Sequence, residues 1–221
     1  CLQAVGKTVI PGINTVLQDQ HPFHIYYCII GIRGEFMNGN LERELKMALT
    51  KEEYDCLLHS YDFDKTIVQR NVYYDTPDSR IKKRKGALRI RFADGKKILT
   101  IKLPNDETSK KEYESEIEAD SPAAFTEEIW NFIHEHLREA GQLVPIADFT
   151  TVRHLLICSE GEFCLDETDF GPVKDYEIEY EYHMDHDGMQ KLNQFLKPAG
   201  IEYKKQGSSK LARAVSYNVN L

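Results

Sequence analysis

Glu42-Arg43-Glu44-Leu45-Lys46 is the stretch on which the reading of this chain turns. Two carboxylates and an ammonium occupy every second position. On a β-strand alternate side chains share a face, so Glu42, Glu44 and Lys46 point one way while Arg43, Leu45 and Met47 point the other. Paired carboxylates on one face suit a hard divalent cation, and a neighbouring lysine suits a phosphate oxygen. Taken alone, the same alternation also describes a solvated sheet face.

The pattern returns along the chain. Leu88-Arg89-Ile90-Arg91-Phe92 sets two guanidinium groups against three apolar residues, and Leu99-Thr100-Ile101-Lys102-Leu103 repeats the arrangement. Lys110, Glu112, Glu114, Glu116 and Glu118 alternate with a mixed set, and Tyr176-Glu177-Ile178-Glu179-Tyr180-Glu181-Tyr182 sets three carboxylates against aromatics and an isoleucine. Each is a period-two segment with a dense charged face. Like charges directly opposed across strands repel by a few tenths to about 1 kcal/mol per pair. Acids nevertheless dominate some strands and bases others, as if the two sets faced one another across a cavity for cations and an anion.

Composition sets the outer limits. A chain of 221 residues, 41% hydrophobic and 29% charged, can bury one substantial core. Its formal net charge of −8 argues against nucleic-acid binding driven by the overall field, while leaving a local cationic pocket open. No apolar run approaches the roughly 20 residues needed to span a bilayer, so no membrane partner is expected. The five cysteines are odd in number and form no C-x-x-C pair; they read as small buried hydrophobes of a reducing cytoplasm. Residues 1–36 carry few charges and no sustained period, and Met37 immediately precedes the patterned sequence. The expectation is a leader or loosely packed extension over 1–36 and one domain over 37–221.

Three helices are predicted. Thr50 and Glu53 form a capping box before Tyr54, Leu57, Leu58 and Tyr61. Ser121-Pro122 opens a longer helix with Phe125, Ile129, Phe132, Ile133 and Leu137 as its stripe and Gly141 as its end. A third runs from about Asp187 to Leu196, stopped by Pro198. Strands are expected near 41–47, 69–75, 87–93, 97–103, 111–119, 151–158, 162–167, 174–183 and 210–218. This order suggests two β-α-β-β-β-like halves of an α+β fold with an antiparallel sheet. Closure of that sheet into a β-barrel would turn its charged face into a lumen and leave the apolar face for helices to cover.

The ordered set of motifs resembles the CYTH domains of bacterial proteins, also called triphosphate tunnel metalloenzymes. Glu42-x-Glu44-x-Lys46 matches their ExExK motif. Asn71-Val72-Tyr73-Tyr74-Asp75-Thr76-Pro77-Asp78, Leu88-Arg89-Ile90-Arg91 and Thr100-Ile101-Lys102 are similar to the segments that follow. Lys110-Lys111-Glu112-Tyr113-Glu114, where the family more often begins with arginine, comes next. Arg153, Leu165-Asp166, Phe170-Gly171, Glu177-Ile178-Glu179 and Ser209-Lys210 complete the series. The resemblance runs from Met37 to about Tyr217. It implies a closed eight-stranded antiparallel β-barrel, open at both ends, flanked by helices.

It also implies roles. Glu42, Glu44, Asp166, Glu177 and Glu179 would hold Mg²⁺ or Mn²⁺. Lys46, Arg89, Arg91, Lys102, Lys110, Arg153 and Lys210 would clamp phosphate oxygens, arginines as bidentate forks and lysines as point charges. Glu42, Glu44, Lys46 and Asp166 would lie closest to the chemistry, while Glu112 and Glu114 would hold the bases in place. The implied activity is metal-dependent hydrolysis of inorganic, thiamine or nucleoside triphosphate, inorganic triphosphate first. Two alternatives stay open: cyclisation of ATP by a class IV-type adenylate cyclase, and a non-catalytic module that binds polyphosphate. His134 and His136, two apart on a helix, share no face, and His183 and His186 have no metal-ligand spacing.

Overall fold

The computed structural model describes residues 40–105, 109–138, 141–205 and 207–217; the segment 1–36 lies outside them. Among these residues eight strands form: β1 (Asn40–Leu49), β2 (Lys65–Asp75), β3 (Ala87–Ala93), β4 (Lys96–Pro104), β5 (Ser109–Glu116), β6 (Val144–Cys158), β7 (Gly161–Asp169) and β8 (Lys174–Tyr182). Five helices accompany them: α1 (Lys51–Ser60), α2 (Arg80–Lys83), α3 (Glu127–Leu137), α4 (Gly188–Leu196) and α5 (Lys210–Ser216). Among the described residues, no helix is long and apolar enough to cross a membrane.

The fold is α+β. One strongly curled antiparallel sheet runs in the order β1-β5-β4-β3-β2-β6-β7-β8. Strand β1 is shared: Asn40–Arg43 pair with β5, and Arg43–Leu49 pair with β8. Local chemistry fixes several joints. Asp94 and Gly95 both take positive φ, 50° and 75°, which is the tight turn that joins twisted neighbours β3 and β4. Gly161 begins β7 where a Cβ would lie 2.1 Å from the Glu181 carbonyl oxygen, so only glycine lets β8 approach there.

The outward face is apolar and helices cover it in two patches. Met47, Phe163, Leu165, Ile178 and Tyr180 meet Tyr54 and Leu57 of α1 and Leu192, Phe195 and Leu196 of α4. Leu88, Ile90, Leu99 and Ile101 meet Ile81 of α2 and Ile129, Phe132, Ile133 and Leu137 of α3. Each such side chain, fully buried, contributes about 1.5–3 kcal/mol of hydrophobic stabilisation. The period-two pattern therefore has a physical cause: one residue in two must face these helices.

Three expectations are corrected. The ninth strand does not form: residues 210–216 are α5, and 218 lies outside the described residues. Ser209 caps α5 by accepting a hydrogen bond from the Ala212 amide at 3.2 Å, and Leu211, Ala214 and Tyr217 pack on Tyr73, Phe149 and Phe170. The helix expected from Ser121 instead breaks after a 3₁₀ turn at Pro122–Ala124, because Thr126 supplies a new cap to Ile129. That helix ends at left-handed Arg138, before Gly141. Five strands precede α3 and three follow it, so the two halves are unequal.

Candidate active site

Register places the inward residues. Lys46 stands opposite Glu179, Asp166 opposite Glu177 and Arg153 opposite Asp166. Their neighbours Met47, Leu165 and Ile178 belong to the outer apolar core. Alternation thus delivers Glu44, Lys46, Arg153, Asp166, Glu177 and Glu179 to the inner face.

Asp166, Glu177 and Glu179 bring carboxylate oxygens within 4.8 Å of one another, with exposures of only 0%, 0% and 7%. Three like charges this close need cations. Arg153 donates to Asp166 through two parallel bonds, Nε to Oδ1 at 2.9 Å and Nη2 to Oδ2 at 2.8 Å, and also reaches Glu179. Lys210 reaches in from α5, its Nζ 2.8 Å from Asp166 Oδ2 and 3.1 Å from Glu179 Oε1, and bonds Glu177 as well. Arg213, one turn further along α5, holds Glu177 and donates to Asp175 Oδ2 at 2.7 Å. Lys46 pairs with Glu44, which joins Glu179 and Glu181 in an adjoining carboxylate group.

These contacts tune the charges. Burial pushes the Glu177 carboxyl up to about 7, although Lys210 and Arg213 pull the other way. Burial would also raise Asp166, but Arg153 and Lys210 outweigh it and hold that carboxyl below its ordinary value. Glu179 is held well down by Lys210, Arg153 and Lys46 against the same burial. One wall therefore carries ionised carboxylates beside one poised near neutrality.

The basic wall is built on β3, β4 and β5. Arg89 is buried, donates to Glu112 Oε1 at 3.2 Å and lies 3.7 Å from Glu114. Lys102 pairs with Glu112 Oε2 at 2.9 Å, and Thr100 donates to Glu114 Oε1 at 2.9 Å. Arg91 Nε donates to Asn71 Oδ1 at 3.3 Å. A small cavity of about 30 Å³ lies where Arg91, Gln69, Arg153 and Glu162 converge, between the two walls.

The structure brings together Glu44, Lys46, Arg153, Asp166, Glu177, Glu179 and Lys210 in one network, and Arg89 and Lys102 in another. Lys110 lies half-buried on β5, paired with Glu42 of β1, whose side chain is outside the described residues. Arg153 and Lys210, assigned to phosphate by resemblance, are here engaged by carboxylates. Arg213 was missed. It follows Lys210 by three residues, a helical spacing that a strand reading of 210–218 conceals.

Comparison with known proteins agrees with this architecture. The CYTH domain family matches residues 40–214. YjbK of Bacillus subtilis, named provisionally as a triphosphatase, is 28% identical over 173 residues, which are 75% of this chain and 90% of that protein. A Bacillus halodurans crystal structure provisionally called an adenylate cyclase superposes with a TM-score of 0.67 at 26% identity, covering 80% of this chain and 98% of that one. A Hippeastrum protein, provisionally called an adenylyl cyclase and described as having a dominant triphosphatase activity, gives 0.66 at 28% identity, covering 80% and 95%.

Proposed function

The chain belongs to the CYTH domain family, and we propose that it is a divalent-metal-dependent hydrolase of a triphosphate, inorganic triphosphate first, bound within a closed eight-stranded barrel. The sharing of β1 between β5 and β8 supports the closed reading. The observation that carries the activity is the cluster of Asp166, Glu177 and Glu179, three buried carboxylates within 4.8 Å, set in one sheet with Arg89, Arg91 and Lys102.

Hard carboxylate oxygens fit Mg²⁺ or Mn²⁺. Asp166, Glu177 and Glu179 would hold the ion, with Glu44 and Glu42 contributing from β1. When bound, such an ion polarises phosphoryl oxygens and acidifies its water. The chain does the rest by placement. Arg89 and Arg91 fork onto phosphate oxygens, and Lys46, Lys102, Lys110, Arg153 and Lys210 add point or paired charge. Phosphoryl transfer asks mainly for positioning and charge stabilisation, so no covalent nucleophile is required.

The name of the Bacillus halodurans neighbour favours a second reading, cyclisation of ATP. The dominant triphosphatase activity described for the Hippeastrum neighbour supports hydrolysis instead. A module that only binds polyphosphate would need the basic wall alone, which the buried acidic cluster argues against. Incubation with Mg²⁺ and either triphosphate or ATP, resolving orthophosphate, pyrophosphate and cyclic AMP, separates the three. Orthophosphate with pyrophosphate from triphosphate is expected; cyclic AMP from ATP, or no turnover at all, sinks the hydrolase.

A further inference from the structure

We propose that Asn71 and Tyr73 on β2 are positioning residues, one for each arginine of the Arg89-x-Arg91 pair, holding the guanidinium groups for an anion without cancelling their charge. This rests on the triphosphatase reading and names what sets its clamp. The register is direct: Asn71 stands opposite Arg91, and Tyr73 opposite Arg89. Asn71 Oδ1 accepts from Arg91 Nε at 3.3 Å, and the buried Tyr73 phenol interacts electrostatically with Arg89, its direct cross-strand partner. Both braces are buried, at 3% and 7% exposure.

Tyr73 is itself fixed. Its ring stacks on Phe149 with centroids 5.6 Å apart and planes at 22°, and Phe149 lies 5.0 Å from Phe170. The aim of the hydroxyl is thus set by aromatic packing. Burial raises the Tyr73 phenol, but Arg89, Lys102 and Arg91 outweigh it and hold it below its ordinary value. Arg89 Nε is buried and has no hydrogen-bond partner among the described residues, which leaves that donor open to a ligand.

The chemistry of the braces is the point. A carboxylate at position 71 or 73 would also hold an arginine but would neutralise it. An amide and a phenol restrict the long side chains and leave their charge for a phosphate oxygen. Among the described residues, the acidic partners of Arg89 are Glu112 and Glu114, on the other side.

Tyr73→Phe removes the hydroxyl and keeps the stack, so the fold should survive. We expect kcat/KM for Mg²⁺-triphosphate to fall about tenfold, as for one hydrogen bond to a charged group. In an Arg89→Ala background the same change should cost under about twofold, because the brace then has nothing to hold. Equal losses in both backgrounds, or none in either, overturn the proposal. Asn71→Asp should keep Arg91 held and the urea midpoint at or above wild type, yet weaken calorimetric binding of metal-free triphosphate about tenfold. Wild-type affinity in that variant overturns it too. A wild type that binds triphosphate without turning it over sinks the hydrolase reading alone; one that binds none sinks the brace as well.

Discussion

Lys210 Nζ lies 2.8 Å from Asp166 Oδ2, inside the space bounded by Asp166, Glu177 and Glu179 where a divalent ion would be held. The ammonium and such an ion compete for the same oxygens. Among the described residues the neutralising cations are Lys46 on β1, Arg153 on β6 and Lys210 and Arg213 on α5, so two of the four arrive on one short helix. Lys210→Met should therefore lower metal-free stability by about 3 kcal/mol, the scale for breaking a buried ion pair. The same variant should bind Mn²⁺ about tenfold more tightly by calorimetry, the size of an ordinary coupling between competing ligands. Weaker Mn²⁺ binding in Lys210→Met would place the ion elsewhere.

Glu177 gives the pH dependence. Its carboxyl is raised by burial from 4.5 to about 7. Between those values the folded state keeps a proton that the unfolded chain has released, so this group's contribution to stability falls as pH rises through that window. Asp166 and Glu179 are shifted down, so theirs is present above their unfolded values and lost on acidification. Metal needs the ionised form of Glu177. Mn²⁺ affinity should climb with pH to about 7 and then level, and Glu177→Gln should flatten the profile. A wild-type affinity independent of pH from about 5.5 to 8 would remove Glu177 from the ligand set.

Ligand removal on β1 tests the motif itself. Glu42→Gln or Glu44→Gln preserves shape and deletes one anionic oxygen pair, so turnover should nearly vanish while the circular dichroism spectrum and urea midpoint hold. Wild-type turnover should stop with excess chelator and return with Mg²⁺ or Mn²⁺. Full activity under chelation would end the metalloenzyme reading.

Much of this arrangement is legible locally because alternation is a local property. The 87–93 span predicted for Leu88-Arg89-Ile90-Arg91 coincides with β3, and the Thr50–Glu53 capping box forms as written. The failures are long-range or ambiguous. In Lys210-Leu211-Ala212-Arg213-Ala214-Val215 the two cations recur at a spacing of three, which is helical, but the segment is too short for that period to stand out, and the Ser209 cap and the Phe149–Phe170 surface decide for a helix. A lone Arg153 likewise gives no sign of its partner. That it pairs with Asp166 follows from β6–β7 register, which no local window encodes.

The strand register can be tested by function. Arg89 and Arg91 lie two apart on β3 and hydrogen-bond inward residues of β5 and β2, Glu112 and Asn71. Arg43 alternates with Glu42 and Glu44 and is exposed. Arg89→Ala or Arg91→Ala should weaken catalysis on triphosphate by about 2–4 kcal/mol in transition-state terms, the scale for losing one preorganised charge-stabilising donor. Arg43→Ala should cost about 0–1 kcal/mol at most, as surface charges do. A slip of one residue would exchange these outcomes, because it exchanges the faces. If steady-state kinetics at saturating metal find folded Arg43→Ala as damaged as Arg91→Ala, the charged face is not the inner face, and the clamp built on it falls with it.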